Sequence, residues 1–297
     1  IIGGYNNTFL DDKFSFSGQL GYHQVENGVT RSGIYGSNFI ETDNYTTDAN
    51  HSRSILDKLS FGTSLYFGPK FLSMLWGSRS LALQNKFDTR TWAKRSMDIM
   101  RLIEDCGAKM NIEGLNNINK AEGPVVFISN HMSMLESMIF PGLIASRTEV
   151  TFVVKSSLVS HSLFGPTMRA RKPIAVDRKD PIADFKKVMA DGVEAINNGT
   201  SVVIFPQSQR MVQFDPEKFN TLGIKLAKKS KAQIIPVAIK TDFWGNGTIA
   251  KDVGALKRNK PVHIKFGEPF SIEGPGKKEH QQVIDCIQSN LAIWSKD

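Results

Sequence analysis

The sequence predicts an α/β fold: a mostly parallel central sheet with helices on both faces, preceded by an N-terminal helical segment. Two observations carry this. Over roughly the last two thirds of the 297-residue chain, short apolar runs alternate with longer stretches of helical spacing. Strands that alternate with helices need crossover connections, which make the strands parallel and cover the sheet on both sides. The apolar runs are also continuous, as strands buried on two faces are. A chain of this length with 40% hydrophobic residues has material for one large domain and an appendage.

Residues 1–52 are rich in Gly, Asn, Ser, Thr and Asp and read as a poorly structured leader. Phe14, Phe16, Gly18 and Leu20 alternate briefly, which leaves a weak strand as the alternative. Residues 53–107 read as N-terminal helices. From Ile55 to Phe87 apolar residues crowd a segment broken by Gly68-Pro69, which predicts two short helices joined by a turn there. Lys58, Lys70, Arg79 and Lys86 flank the apolar positions. This pattern suits a helix pair packed on its own domain, or an interfacial anchor with Trp76 and the Phe residues in the headgroup region. Trp92 to Cys106 has helical spacing, and Met110 to Glu113 reads as a short strand.

Residues 108–297 form the α/β domain. Strands are expected at 125–129, 151–155, 173–176, 201–205, 234–239 and 262–266. Helices are expected at 134–145, 157–170, 181–197, 216–230 and 277–294. The basic cluster Lys225, Lys228, Lys229 and Lys231 reads as the wet face of one helix, or as a contact for a membrane or coenzyme A.

The net charge of +8 favours anionic partners: phosphorylated compounds, coenzyme A or acidic lipid headgroups. Nucleic acid is not expected, because Lys and Arg are dispersed with no basic-aromatic recognition motif. Two distant cysteines, Cys106 and Cys286, point to a reducing compartment without a disulfide framework. Neither they nor the six His residues show metal-ligand spacing, so no metal is expected. No stretch reaches the roughly 18 uncharged apolar residues of a membrane span.

The most informative segment is Val125-Val126-Phe127-Ile128-Ser129-Asn130-His131-Met132-Ser133-Met134-Leu135-Glu136. A buried strand ends in an Asn-His pair, at the sheet edge where open α/β folds place their sites. There a His serves as a general base near neutral pH when a neighbour fixes its tautomer, and Glu136 is the candidate neighbour. A structural reading competes for the same carboxylate. Ser133-x-x-Glu136 is a capping-box pattern, in which Ser133 caps the following helix. No Gly-x-Ser-x-Gly motif offers a serine nucleophile instead.

Three further blocks follow in order. Lys155, Gly165, Arg169 and Ile174-Ala175-Val176-Asp177-Arg178 come first, then Val202-Val203-Ile204-Phe205-Pro206-Gln207-Ser208-Gln209-Arg210, then Ile234-Ile235-Pro236-Val237-Ala238. Together with the Asn-His segment, they resemble the four sequence blocks of the 1-acylglycerol-3-phosphate acyltransferase family, over roughly residues 100 to 297. Two departures stand out. The first block of that family usually ends in Asp, where this chain has Glu136, a variant that resembles the lipid A late acyltransferases. The third block usually reads Phe-Pro-Glu-Gly-Thr-Arg, where this chain has Gln207, Ser208 and Gln209.

The resemblance implies that residues 108–297 are an acyltransferase domain. Its expected reaction moves a fatty acyl group from acyl-CoA or acyl carrier protein to the free hydroxyl of a lysophospholipid. The expected acceptor is 1-acylglycerol-3-phosphate, which gives phosphatidic acid. His131 and Glu136 are the implied catalytic pair, with no cofactor beyond the co-substrate. Arg178 and Arg210 fall where the family carries phosphate-binding arginines, and a guanidinium grips phosphate in a two-pronged fork. Lys155 and Arg169 are further anion contacts, and Gln207 and Ser208 would bond glycerol oxygens. A peripheral protein at the membrane surface is implied, on the cytoplasmic face of the inner membrane. Another lipid acceptor (a lipid A precursor, an amino-acid lipid or another lysolipid) and a non-catalytic lipid-binding protein stand as alternatives.

Overall fold

The apolar runs pair into one eight-stranded sheet of order β1-β2-β8-β7-β3-β6-β4-β5. The structure, a computed structural model, describes residues 39–60, 63–207, 209–247 and 254–296. The strands are β1 (Tyr45–Thr46), β2 (Met110–Glu113), β3 (Val125–Ser129), β4 (Val150–Lys155), β5 (Ile174–Val176), β6 (Ser201–Ile204), β7 (Gln233–Lys240) and β8 (Val262–Phe266). The five strands β7, β3, β6, β4 and β5 run parallel as neighbours, and β2 runs parallel to β8. Among the named strands of the described residues, β1 on β2 and β7 on β8 are antiparallel. The mostly parallel sheet therefore stands.

Side-chain alternation along β3 divides the interior into two layers. Val125 and Phe127 face a core shared with α2 (Phe67–Leu83), α3 (Thr89–Asp105) and α4 (Leu135–Ile144). Val126 and Ile128 face a core shared with α7 (Pro181–Asn197), α8 (Leu222–Ser230) and α9 (Lys277–Trp294). Helices thus cover both faces. The remaining helices are short: α1 (Ile55–Leu59), α5 (Ser156–Val159) and α6 (Gly165–Ala170).

The first helical layer meets α4 at a defined irregularity. Pro141 removes one donor from the middle of α4. The Ser96 hydroxyl of α3 then inserts into the helix ladder, donating to Met138 O at 2.6 Å while Gly142 N–H donates to Ser96 Oγ at 2.8 Å. Glycine is required at 142, because a Cβ would lie 2.7 Å from Met97 Sδ and 3.1 Å from Ser96 Oγ. These contacts seat α4, and with it Glu136, against the sheet.

Several sequence expectations need correction. In the 55–87 segment one helix ends at Leu59 and the next begins at Phe67, so Gly68-Pro69 falls in the first turn of α2 rather than at a break. Proline is tolerated there because the N–H it lacks would have no helical partner anyway. The helix expected at 157–170 is two helices. In the gap His161 Nδ1 accepts the N–H groups of Leu163 and Phe164, and Pro166 opens α6. The helix expected at 216–230 begins later, at Leu222, whose N–H is capped by Asn220 at 2.9 Å. Pro216–Lys218 forms a separate turn of 3-10 helix.

Residues 39–52, within the expected leader, contribute β1 and bury Ile40, Tyr45 and Thr47. Tyr45 and Thr47 both donate to Glu104 of α3, at 2.7 and 2.6 Å. The brief alternation at Phe14 to Leu20 lies outside the described residues. Near the same end, α1 is tied to the domain by Asp57, which is fully buried and bridges Arg53 and Arg258. The Arg258 guanidinium also donates to Cys106 O at 3.1 Å. Burial, reinforced by the Asp57 charge, pushes the Cys106 thiol up to about 12.

Candidate active site

The carboxyl edge of the parallel strands gathers the residues of interest, as expected for an open α/β sheet. His131 lies two residues beyond β3, and Lys155 ends β4. Arg178 lies two residues beyond β5, while Gln207 and Arg210 follow β6. Two clasps fix the exit of β3. The Asn130 side chain donates to Ile239 O and accepts Ile239 N–H, both at 2.9 Å, which locks β3 to β7 just where the chain turns. On the other side, Gln207 Oε1 accepts His131 N–H at 2.7 Å and Met211 N–H donates to His131 O at 2.8 Å. The backbone of His131 is thereby bound to the loop after β6.

The imidazole itself has one fixed partner. His131 Nδ1 lies 2.8 Å from Glu136 Oε1. An ionised carboxylate has no hydrogen to give, so Nδ1 donates, and in the neutral ring Nε2 keeps its lone pair. The ring stacks on Phe205 at 4.3 Å between centroids and keeps 14% of its side-chain exposure, whereas Glu136 has none. The imidazole is therefore the member of the pair that an incoming molecule reaches.

Glu136 sits in a cage of donors. Its Oε1 also accepts Met132 N–H at 2.7 Å and Ser133 N–H at 2.8 Å. Its Oε2 accepts the hydroxyls of Ser133 at 2.8 Å and Thr241 at 2.6 Å. Burial works to raise this carboxyl, but the bonds and charge from His131, with the bonds from Thr241 and Ser133, outweigh it and hold Glu136 below the usual range. The helix begins at Leu135, with Met134 rather than Ser133 as its cap. Ser133 instead accepts Leu135 N–H through its hydroxyl at 3.0 Å. Capping and orienting do not compete, because one oxygen of Glu136 serves the backbone and His131 together.

The other sequence-selected residues lie at varied distances from this pair. Gln207 is bound directly to the His131 backbone and is 2% exposed. Its oxygen must face the His131 N–H, so its amide nitrogen points the other way, where it is buried without a partner. Arg210 belongs to the same loop, one residue before the Met211 contact. Arg178 is exposed, with a left-handed backbone (φ 59) held by Asp184, whose carboxylate accepts Asp177 and Arg178 N–H. It stands three strands from β3, roughly 14 Å by strand spacing. Lys155 is exposed two strands from β3. Arg169 is exposed on α6 and donates to Val159 O at 2.6 Å. Ser208 lies outside the described residues.

Sequence reasoning missed Thr241, which closes the cage from the residue after β7, and Phe205 as the ring's stacking partner. Phe205 was visible within its block as the residue before Pro206, whereas no local pattern marks Thr241. Elsewhere, Lys186, Lys225, Lys228 and Lys229 line a cavity of about 530 Å³ over Phe185 and Met189 between α7 and α8, away from His131.

Comparison with known proteins places the chain beside acyltransferases. The acyltransferase family model matches residues 109–240, which contain β2 through β7 and the whole carboxyl-edge cluster. The 1-acyl-sn-glycerol-3-phosphate acyltransferase of Pseudomonas aeruginosa is 26% identical over 215 residues, covering 69% of this chain and 79% of that protein. The chloroplastic enzyme LPAT1 of Arabidopsis thaliana, of the same name, is 26% identical over 57% of this chain and 48% of its own length. The crystal structure of the 1-acyl-sn-glycerophosphate (LPA) acyltransferase PlsC from Thermotoga maritima superposes with a TM-score of 0.55 at 18% identity. It covers 81% of this chain and 94% of that one, which establishes the shared fold. These matches make the chain similar to acyltransferases over residues 109–240 and, at 26% identity, to named 1-acyl-sn-glycerol-3-phosphate acyltransferases.

Proposed function

We propose that this protein moves a fatty acyl group from a thioester, acyl-CoA or acyl carrier protein, to the free hydroxyl of a lysophospholipid. The acceptor is 1-acylglycerol-3-phosphate and the product phosphatidic acid. The observation that carries the reading is the 2.8 Å bond from His131 Nδ1 to a fully buried Glu136, which leaves Nε2 as a base. The acceptor oxygen forms a bond to the thioester carbonyl carbon while its proton passes to Nε2. Collapse of the tetrahedral intermediate breaks the carbon–sulfur bond, and the imidazolium returns the proton to the departing thiol. Glu136 holds the tautomer and stabilises the imidazolium, as the acid does in a hydrolase triad.

Arg210 and Arg178 bind the acceptor phosphate in this reading, with Lys155 and Arg169 as outer anion contacts. Their common place along the carboxyl edge supports the assignment. Gln207 and Ser208 bond the glycerol portion. Gln207 also favours a second reading, another lysolipid as acceptor. Its free amide nitrogen donates where the usual Glu of this family would accept.

The membrane surface is the proposed workplace. Helix α2 is apolar on two faces. Phe67, Phe71 and Ala82 are buried, while Leu72, Trp76 and Leu83 are exposed and lie within about 40° of one another around the axis. Ile55, Leu56 and Leu59 of α1 and Leu65, just before α2, are exposed as well. An apolar surface of this kind next to cationic Arg79, which stacks 5.2 Å from the Trp76 ring, suits the headgroup boundary. In this reading the patch lies on the bilayer surface; among the described residues no helix is long and apolar enough to cross a membrane. In this reading the protein works at the cytoplasmic face, a reducing compartment with which the free Cys106 and Cys286 are compatible.

Purified protein, assayed with a panel of lysolipids and both donors, tests the reaction. Product from 1-acylglycerol-3-phosphate supports the first reading, product only from another lysolipid selects the second, and no product from any acceptor refutes both.

A further inference from the structure

We infer that Thr241 is a positioning residue for the acyl-transfer base, acting through Glu136 from the far side of the cage. This rests on the proposed reaction but on different atoms. Oε1 of Glu136 is already shared by three donors, and only Oε2 is left to decide how the carboxylate plane is turned. Glutamate has one more rotatable bond than the aspartate usual at this place, so an orienter of this length needs its second oxygen held as well. Thr241 Oγ1 holds it at 2.6 Å, and Ser133 Oγ joins both groups, at 2.8 Å from Oε2 and 3.0 Å from Thr241 Oγ1.

Thr241 is itself fixed. It is fully buried, its N–H points to Met132 Sδ at 3.2 Å, and it stands two residues after Ile239, which Asn130 clasps on both sides. The register between β3 and β7, which pairs Ser129 with Val237, therefore decides where the hydroxyl arrives. Strand β7 thus orients the base through a side chain 105 residues away from Glu136 in sequence.

The test compares Thr241→Val, which keeps the shape and removes the hydroxyl, with Thr241→Ser, which restores it. Losing a hydrogen bond to a charged group corresponds to about 10- to 100-fold in rate. Thr241→Val is expected to lower kcat by that factor with KM for both substrates unchanged, and Thr241→Ser to recover most of it. In a Glu136→Ala background the Val substitution is expected to change nothing further. A kcat within twofold of wild type, a loss that Ser does not rescue, or an equal loss in the Glu136→Ala background would overturn the assignment. Nitrogen NMR of the His131 ring reads the same point without turnover. Wild type and Thr241→Ser are expected to hold the Nδ1–H tautomer and Thr241→Val to show a mixture, and unchanged Val spectra would also overturn it. A wild type inactive on every lipid would refute the reaction instead.

Discussion

Ser133 and Glu136 are joined twice: the Ser133 N–H donates to Oε1 and its hydroxyl to Oε2, each at 2.8 Å. The capping-box bond thus lies inside the arrangement that orients His131. A Glu in the first turn of α4 also sits where the helix N-terminus favours negative charge. The longer acid therefore serves as orienter and as helix-start partner through the same side chain.

Replacing Glu136 by Gln keeps the size but puts an NH2 group where an oxygen must accept. With the NH2 toward His131 the ring must take the other tautomer, and with it toward Ser133 and Thr241 their hydroxyls must turn from donors to acceptors; in both cases the negative charge that stabilises the imidazolium is gone. The expected loss in kcat is roughly 100- to 10,000-fold, with lysolipid binding retained. Steady-state kinetics beside equilibrium binding of lysolipid separates the two effects.

Acid stability follows from the same carboxylate. Its folded value lies below the ordinary 4.5. A depressed acid stabilises the fold above its unfolded value, and that contribution is lost as pH falls through the folded value. Glu136→Gln lacks the group, so the gap in melting temperature between wild type and variant is expected to narrow from about pH 5 to about pH 3. Thermal unfolding across that range measures it, and a constant gap would contradict the assignment.

Much of the architecture was legible in the sequence, for reasons that differ by element. Strands 125–129 and 262–266 and helices 181–197 and 277–294 fall on their expected bounds. In α7, Asp180 caps the N–H groups of Ile182 and Ala183 and Pro181 opens the helix, signals that are local and strong. The split near residue 160 was hidden because its cause is a histidine ring accepting backbone N–H groups, which no periodicity records. In β1 only two residues pair, too few to alternate visibly. The His131–Glu136 pair was legible because five residues separate its members. Thr241 and Ser96 were not, because each acts across the fold, on Oε2 of Glu136 and on the α4 ladder.

Membrane contact is expected to depend on the exposed face of α2. Trp76→Glu places a charge in the centre of that face, where the wild-type ring is 53% exposed and takes no part in a core. Binding to vesicles of anionic phospholipid is expected to weaken roughly tenfold or more, with the fold unchanged. Vesicle co-sedimentation beside circular dichroism checks both halves.

Asp57 is expected to matter for stability rather than chemistry. Its removal leaves the guanidinium groups of Arg53 and Arg258 facing each other without the buried carboxylate between them. Asp57→Ala is expected to cost roughly 3 kcal/mol in unfolding free energy, measured by denaturant titration. A change below about 0.5 kcal/mol, the scale of an ordinary surface substitution, would contradict that ion cluster.

The most direct measurement is acyl transfer to 1-acylglycerol-3-phosphate by His131→Ala under saturating thioester. The account expects kcat to fall by at least about 100-fold, the least that a positioned base contributes, with the acceptor still bound. Transfer at the wild-type rate would contradict it, since the proton of the acceptor hydroxyl would then leave by another route.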